Sequence, residues 1–203
     1  MSEATLPTDG RAARAARTRD AIVDASIALV EAGDVRPTAP RIAARAGVSV
    51  RSVFQHFDDL PSLHSAVVQR VVERLSLLMV AVDPELALDA RIDAFARYRA
   101  ALLEAITPFR RAAAVHGPFA PEIQGAVVQG SVFLRCDVEV TFGPELNCLP
   151  ACERRELLDA LAATSSWGTW DSLRSDAGDS VEEAQAVLRR MLRALLAGLP
   201  PAV

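Results

Sequence analysis

Apolar residues recur at every third and fourth position from about residue 18 almost to the end of this chain, interrupted by glycine, proline and short polar clusters. That period is helical, and no alternating stretch long enough for a strand competes with it, so the pattern predicts an all-α protein. The first helix expected starts at Thr18 and runs through Ile22, Val23, Ala25, Ile27, Leu29 and Val30 to Gly33. Ahead of it, residues 1–16 are polar and alanine-rich, with Arg11 and Arg14, and read as a flexible arm that either lies along a nucleic-acid groove or is simply solvated.

Residues 38–63, TAPRIAARAGVSVRSVFQHFDDLPSL, hold two short helical patterns around one turn. Thr38 is placed to cap the first, whose inner face is Ile42 and Ala43, and Pro40 is tolerated in its first turn, where backbone N–H groups lack partners anyway. Gly47 can take the left-handed conformation that ends this helix. Val48 then turns inward, and Ser49 caps a second helix from Val50 to about His56. Val53 and Phe57 lie one turn apart and pack inward, which leaves Val50, Arg51, Ser52, Phe54, Gln55 and His56 facing out. The helix covering this pair completes a three-helix head in which the second short helix can enter a major groove.

Further helices follow at intervals. Asp59 is placed to cap one that accepts Pro61 and carries Leu63, Val67, Val71, Leu75 and Leu78; Asp83-Pro84 breaks it. The period resumes from Leu88 to Ile106, Pro108 opens another short helix, and Gly117-Pro118 with Pro121 ends that one. The segment Glu122 to Phe142 is apolar on several faces, which predicts a central, largely buried helix. The last two helices span Pro150 to about Arg174 and Ser180 to Leu199. The second carries a stripe of Val181, Ala184, Val187 or Leu188, Met191, Leu195 and Leu199, with Ser180 capping and Glu182-Glu183 at its positive end. The organisation expected is an arm over 1–16, a DNA-binding head over 17–62, and a ligand-binding and dimerisation body over 63–203.

Composition sharpens this picture in one respect above all. An apolar fraction of 51% over 203 residues is ample for a core, but the net charge of −4 looks unsuited to DNA. The charge is segregated: residues 10–57 hold eight arginines against four acids, a net +4, while residues 58–203 carry −6. A basic head on an acidic body suits phosphate contact at one end only. No lysine occurs at all, so the choice of arginine at any one position carries little information. Cys136, Cys148 and Cys152 are too few for a disulfide framework, and the Cys148/Cys152 pair lacks companions for a metal site. With no run of 18 apolar residues and no apolar core in MSEATLPTDGRAARAARTR, a cytoplasmic location is expected.

The Ile-Val-x-Ala helix, IAARAGVS, the VFQHF run and Leu63, in this order over residues 18–67, resemble the TetR family of bacterial transcription regulators. Ser166-Trp167-Gly168-Thr169-Trp170-Asp171-Ser172-Leu173-Arg174, followed by a helix near Ser180, is similar to one branch of that family. The resemblance implies a homodimer with two reading heads, a four-helix interface from the last two helices of each subunit, and a small-molecule pocket whose occupation moves the linking helix and spreads the heads. Three positions depart from the family pattern. Phe54 stands where a tyrosine hydroxyl often reaches phosphate, Leu60 where a phosphate-binding lysine is common, and Arg51 where a glycine is common.

Candidate roles follow from side-chain chemistry. Arg51 can bond guanine N7 and O6 in bidentate fashion, Gln55 can pair an adenine, and Val50 can touch a thymine methyl. Arg41, Arg45 and His56 are candidates for phosphate, while Thr38 and Ser49 serve as caps whose backbone N–H groups sit near phosphates. In the body, Phe95, Tyr98, Arg99, His116, Gln129, Phe133, Arg135, Trp167 and Trp170 could line a pocket or belong to ordinary core. A buried Arg99 needs a carboxylate partner or an acidic ligand, and a structural ion pair is the favoured explanation. Ala160, Ala163, Thr164 and Trp167, with the leucine stripe of the last helix, form the expected dimer surface. The function these features favour is a repressor released from a palindromic operator by a small molecule. The alternatives are a DNA-binding regulator gated by a protein partner or by cysteine oxidation, and, less favoured, a helical enzyme or carrier. For an enzyme there is no phosphate loop, no nucleophile elbow and no clustered His or carboxylate, so no catalytic residue, metal or cofactor is assigned.

Overall fold

The computed structural model describes residues 8–116 and 120–197, and every regular element among them is helical. The chain divides into two compact units: one holds the residues through Arg74 together with Pro108–Ala126, the other Leu75–Thr107 and Val127–Val203. The unit containing the head therefore reaches past residue 62 and recruits a distant piece of chain.

In the first unit, α1 (Thr8–Glu31) packs against α2 (Ala39–Ala46) and α3 (Val50–His56). Ile22, Val23, Ile27 and Val30 of α1, Ile42 and Ala43 of α2, and Val53 with Phe57 at the end of α3 are all buried. The Arg19 guanidinium lies over the Phe57 ring, 4.7 Å from its centroid, which holds α1 against the end of α3. Helix α4 (Leu60–Ser76) is capped by Asp59, whose carboxylate accepts from the Ser62 N–H at 2.8 Å, and it buries Leu63 and Val71. It ends two residues before Leu78, which lies in a turn with its side chain 45% exposed. Arg70 of α4 reaches Asp20 at 2.7 Å and Asp24 at 3.1 Å, and Arg74 reaches Asp24 at 2.7 Å, so α4 is fastened to α1 by charge as well as by packing.

Helix α1 corrects the expected arm: residues 8–16 are helical, while 1–7 lie outside the described residues. Ala12, Ala13, Ala15 and Ala16 give up almost no side-chain entropy on entering a helix, so this stretch extends a helix already nucleated by the buried turns after Thr18. Helix α5 (Leu88–His116) corrects the break expected at Pro108, which sits inside one continuous 29-residue helix. The proline removes only the ladder bond to the Glu104 carbonyl, a cost that buried Leu102 and Leu103 just upstream outweigh.

The second unit holds the larger core. Ile92, Phe95 and Ala96 of α5, Val138 of α6 (Pro121–Thr141), Phe142, Leu146 of α7 (Gly143–Asn147), Leu158 and Leu161 of α8 (Ala151–Thr164), and Leu188, Leu192 and Leu196 of α10 (Val181–Leu196) form one apolar cluster. The single helix expected up to Arg174 is divided. Ser165 is buried with its hydroxyl on the Leu161 carbonyl, and Ser166 accepts from the Thr169 N–H to start α9 (Trp167–Asp171), followed by a π-helical turn over Ser172–Asp176. Helix α10 begins at a capping box: Ser180 accepts from the Glu183 N–H, and Glu183 accepts from the Ser180 N–H.

One expectation about surfaces fails here. Helix α6, expected to be central, buries only Val138 and Thr141 and exposes Val128, Val132, Phe133 and Val140. Of the α10 stripe assigned to a dimer surface, Ala184 and Leu188 are buried within the subunit together with neighbouring Leu192 and Leu196, Val181, Val187, Met191 and Leu195 are half-buried, and Leu199 lies outside the described residues. An apolar stripe states that a face is covered; it does not state by what.

Candidate nucleic-acid interface

The turn between α2 and α3 forms as its residues require. Gly47 adopts φ 68°, ψ 31°, and its N–H together with that of Val48 closes the end of α2 on carbonyls of that helix. A Cβ at residue 47 would meet nothing within 4 Å, so the constraint on this position is backbone conformation alone. Gly47→Ala is accordingly expected to cost about 1–2 kcal/mol, with Gly47→Asn milder, read as a drop in the midpoint of thermal unfolding. Equal stability of the alanine variant would show that the turn relaxes into another conformation.

Ser49 caps α3, accepting from the Ser52 N–H at 3.1 Å. Thr38 departs from its expected role: it is extended, and its carbonyl accepts from the Ile42 N–H, but its hydroxyl makes no capping bond. Pro40 already removes one of the donors that such a cap would serve.

With Val53 and Phe57 buried, the opposite face of α3 is open. Val50 is 39% and Phe54 49% exposed, Arg51 and Gln55 are exposed, and Ser52 and His56 are half-buried. Four residues of different chemistry, Val50, Arg51, Phe54 and Gln55, therefore share one face one turn apart: a methyl-contacting group, a bidentate cation, an apolar ring and an amide. Arg45 is exposed at the end of α2, whereas Arg41 is held by Asp34 at 2.8 Å, so a phosphate must compete with that carboxylate for it. Leu60, at the start of α4, is exposed and offers no donor. Arg11, Arg14 and Arg17 are exposed along the first turns of α1.

The residues expected in a ligand site of the second unit separate into two sets. Phe95 and Arg99 are fully buried. The Arg99 guanidinium lies 4.6 Å from the Phe95 ring centroid and donates to Asp137 at 2.7 Å, to the Leu134 carbonyl at 3.1 Å and to the Ser165 carbonyl at 3.3 Å. The partner demanded by a buried arginine is thus Asp137 of α6. Tyr98 stands edge-on to Phe95 at 6.3 Å and hydrogen-bonds Asp137. Gln129 and Phe133, by contrast, are exposed on α6 and are not brought to this cluster. The indole N–H of Trp167 donates to Thr107, and that of Trp170 donates to Glu104, which also takes Arg174. Arg135 pairs with Asp159 on the surface, and the side chain of His116 lies outside the described residues.

Burial first, and then the charge of Asp137, pushes Tyr98 up from 10.0 to about 12. It is the chain's only tyrosine, so an ultraviolet titration isolates it. Native protein should ionise near 12 and unfolded protein near 10. The folded state then holds a proton that the unfolded state has lost, so this contribution to stability is complete below about 10 and falls as pH rises toward 12. A native titration near 10 would contradict the burial of Tyr98 beside Asp137.

The ion pairs between α1 and α4, and the buried Arg91–Glu145 pair, were not foreseen from the sequence. Their partners lie 46 to 54 residues apart, and no local spacing announces such pairs.

No protein-family model matches the chain, and no curated protein matches it by sequence. Two solved structures share its fold. A protein assigned to the TetR family of transcriptional regulators, from Mesorhizobium loti MAFF303099, superposes with a TM-score of 0.68 at 20% identity, covering 91% of this chain and 97% of its own. A transcriptional regulator from Rhodococcus sp. Rha1 gives 0.61 at 19% identity with the same coverage. The fold is therefore that of an all-α protein with a helix-turn-helix head and a helical body.

Proposed function

We propose that this chain is a TetR-like transcriptional regulator that binds a palindromic operator as a homodimer through α2 and α3. It acts as a repressor released by a small molecule. The observation that carries this is the exposed face of α3, set beyond a left-handed Gly47 and backed by buried Val53 and Phe57. The net positive charge of residues 10–57 supports it, as do the two regulators of the same fold. Arg51 reads a guanine, Gln55 an adenine, and Val50 with Phe54 lies against thymine methyls, so the ring that replaces a phosphate-binding hydroxyl contributes apolar contact instead. Arg45, His56 and the backbone N–H of Ser49 hold phosphates.

Release requires the ligand to bind the arrangement with spread heads more tightly than the DNA-bound one, by a few kcal/mol in differential affinity. In the body, half-buried Tyr98 and Trp167 supply aromatic surface for such a ligand. Arg99 is already matched by Asp137, so an acidic ligand at this place has to displace that carboxylate.

The test is selection of genomic fragments by the purified protein at near-physiological salt, followed by footprinting. A protected palindrome near the protein's own gene is the expected result. No enrichment over random DNA would sink the proposal and favour gating by a partner or a role without DNA.

A further inference from the structure

The first turns of α1 stand clear of the unit they belong to. Residues 10–17 are all exposed, and the first buried side chain among the described residues of α1 is Ile22. From residue 10 to residue 19 the sequence holds four arginines and no acid, and Asp20 just beyond is taken by Arg70 at 2.7 Å. Arg19 is stacked on Phe57, whereas Arg11, Arg14 and Arg17 are exposed and no described residue pairs with them. The Phe57 contact fixes where this overhang lies. Phe57 ends α3, so the basic turns leave the head at the end of the helix whose open face carries Arg51 and Gln55. At that end the neighbouring chain offers little to a phosphate: Leu60 is exposed without a donor, and Asp58 and Asp59 are exposed carboxylates.

We propose that residues 10–17 of α1 form a helical grip on the DNA backbone beside the bases read by α3, supplying phosphate contacts that the end of α3 and the start of α4 lack. This rests on the DNA-binding reading above. Charge and continuity with the α3 face decide the occupant. Arg11, Arg14 and Arg17 follow one another in steps of three, a rise of about 4.5 Å per step, comparable to the 3.4 Å of axis per phosphate on one strand. Guanidinium side chains are long enough to absorb the difference. Between them stand only Ala12, Ala13, Ala15 and Ala16, small enough to let the helix approach a backbone and without a group that reads a base edge. The grip is therefore indifferent to sequence and adds affinity, while α3 supplies the choice of site. A lipid surface fits less well, because the overhang has no large apolar side chain to bury in it.

Fluorescence anisotropy with the full chain tests this on two duplexes, the genomic fragment it selects and a random one, over a range of salt, with circular dichroism confirming that each variant is folded. Arg11→Ala/Arg14→Ala changes only exposed side chains, and to a residue that favours helix, so the fold survives. It should weaken binding to both duplexes alike and lower the slope of log affinity against log salt by about 1.8 for each head, at about 0.9 per phosphate. Hydroxyl-radical footprinting should show backbone protection lost at one edge of each half-site, with the bases under α3 still covered. Arg11→Lys/Arg14→Lys keeps the charges and should keep the slope. Arg97→Ala removes an exposed cation of α5 and should change neither slope nor footprint. A wild-type slope for Arg11→Ala/Arg14→Ala, or a per-arginine fall matched by Arg97→Ala, overturns the grip while leaving operator reading by α3 standing, and the first of these marks the overhang as the seat of an acidic protein partner. A wild-type protein that binds neither duplex overturns both.

Discussion

Asp137→Ala is expected to destabilise the second unit by about 3–5 kcal/mol, because it strands a charge and not merely a contact. The Arg99 side chain is fully buried, and without Asp137 only the carbonyls of Leu134 and Ser165 remain to it. Its Nε already lacks a partner, so no spare acceptor stands ready to take the load. Removing the whole pair is a different matter. Arg99→Met with Asp137→Leu replaces two charges by apolar groups of similar length and should recover most of the loss, since a buried pair returns little more than its own desolvation. Urea unfolding of the three variants checks both statements. A loss under about 1 kcal/mol for Asp137→Ala, the size of a surface pair, would show that water reaches Arg99.

The second large effect is on recognition. Arg51→Ala should weaken binding to the operator by about 1–3 kcal/mol for each head and relax the preference at one base pair of each half-site. Arg17→Ala, on the exposed part of α1, should weaken operator and random DNA alike and lower the salt dependence by about one unit for each head. Fluorescence anisotropy with both DNAs over a range of salt separates the two behaviours. If Arg51→Ala loses equally on both DNAs, Arg51 holds a phosphate and the guanine contact is wrong.

The head was legible because its determinants are local. Gly47 can be left-handed at little cost, Ser49 reaches its own helix three residues on, and Val53 and Phe57 announce an inner face by their spacing. Each is a statement about a few consecutive residues, and each survives in the structure. Arg99 was legible in half: a guanidinium on an apolar face implies a carboxylate, but nothing along the chain says that it is Asp137, 38 residues away.

Misreadings arose where a local signal was asked a distant question. Pro108 is a helix breaker by itself, yet the helix continues because burial on its upstream side outweighs one lost hydrogen bond. The alanine and arginine run before Thr18 is polar enough for a flexible arm but pays so little entropy that it joins the helix beside it. Pairing across long stretches of sequence, as between α1 and α4, leaves no periodic trace.

By itself the sequence determined that the chain is helical, where its head turns, and which side chains stand out from α3, since backbone preference, capping and helical period act within a turn or two. Tertiary structure alone decided which apolar stripe is covered and by which neighbour. Hydrophobic burial is non-directional, so α6 and α10 carry the same kind of signal, and only packing filled the one and left the other open.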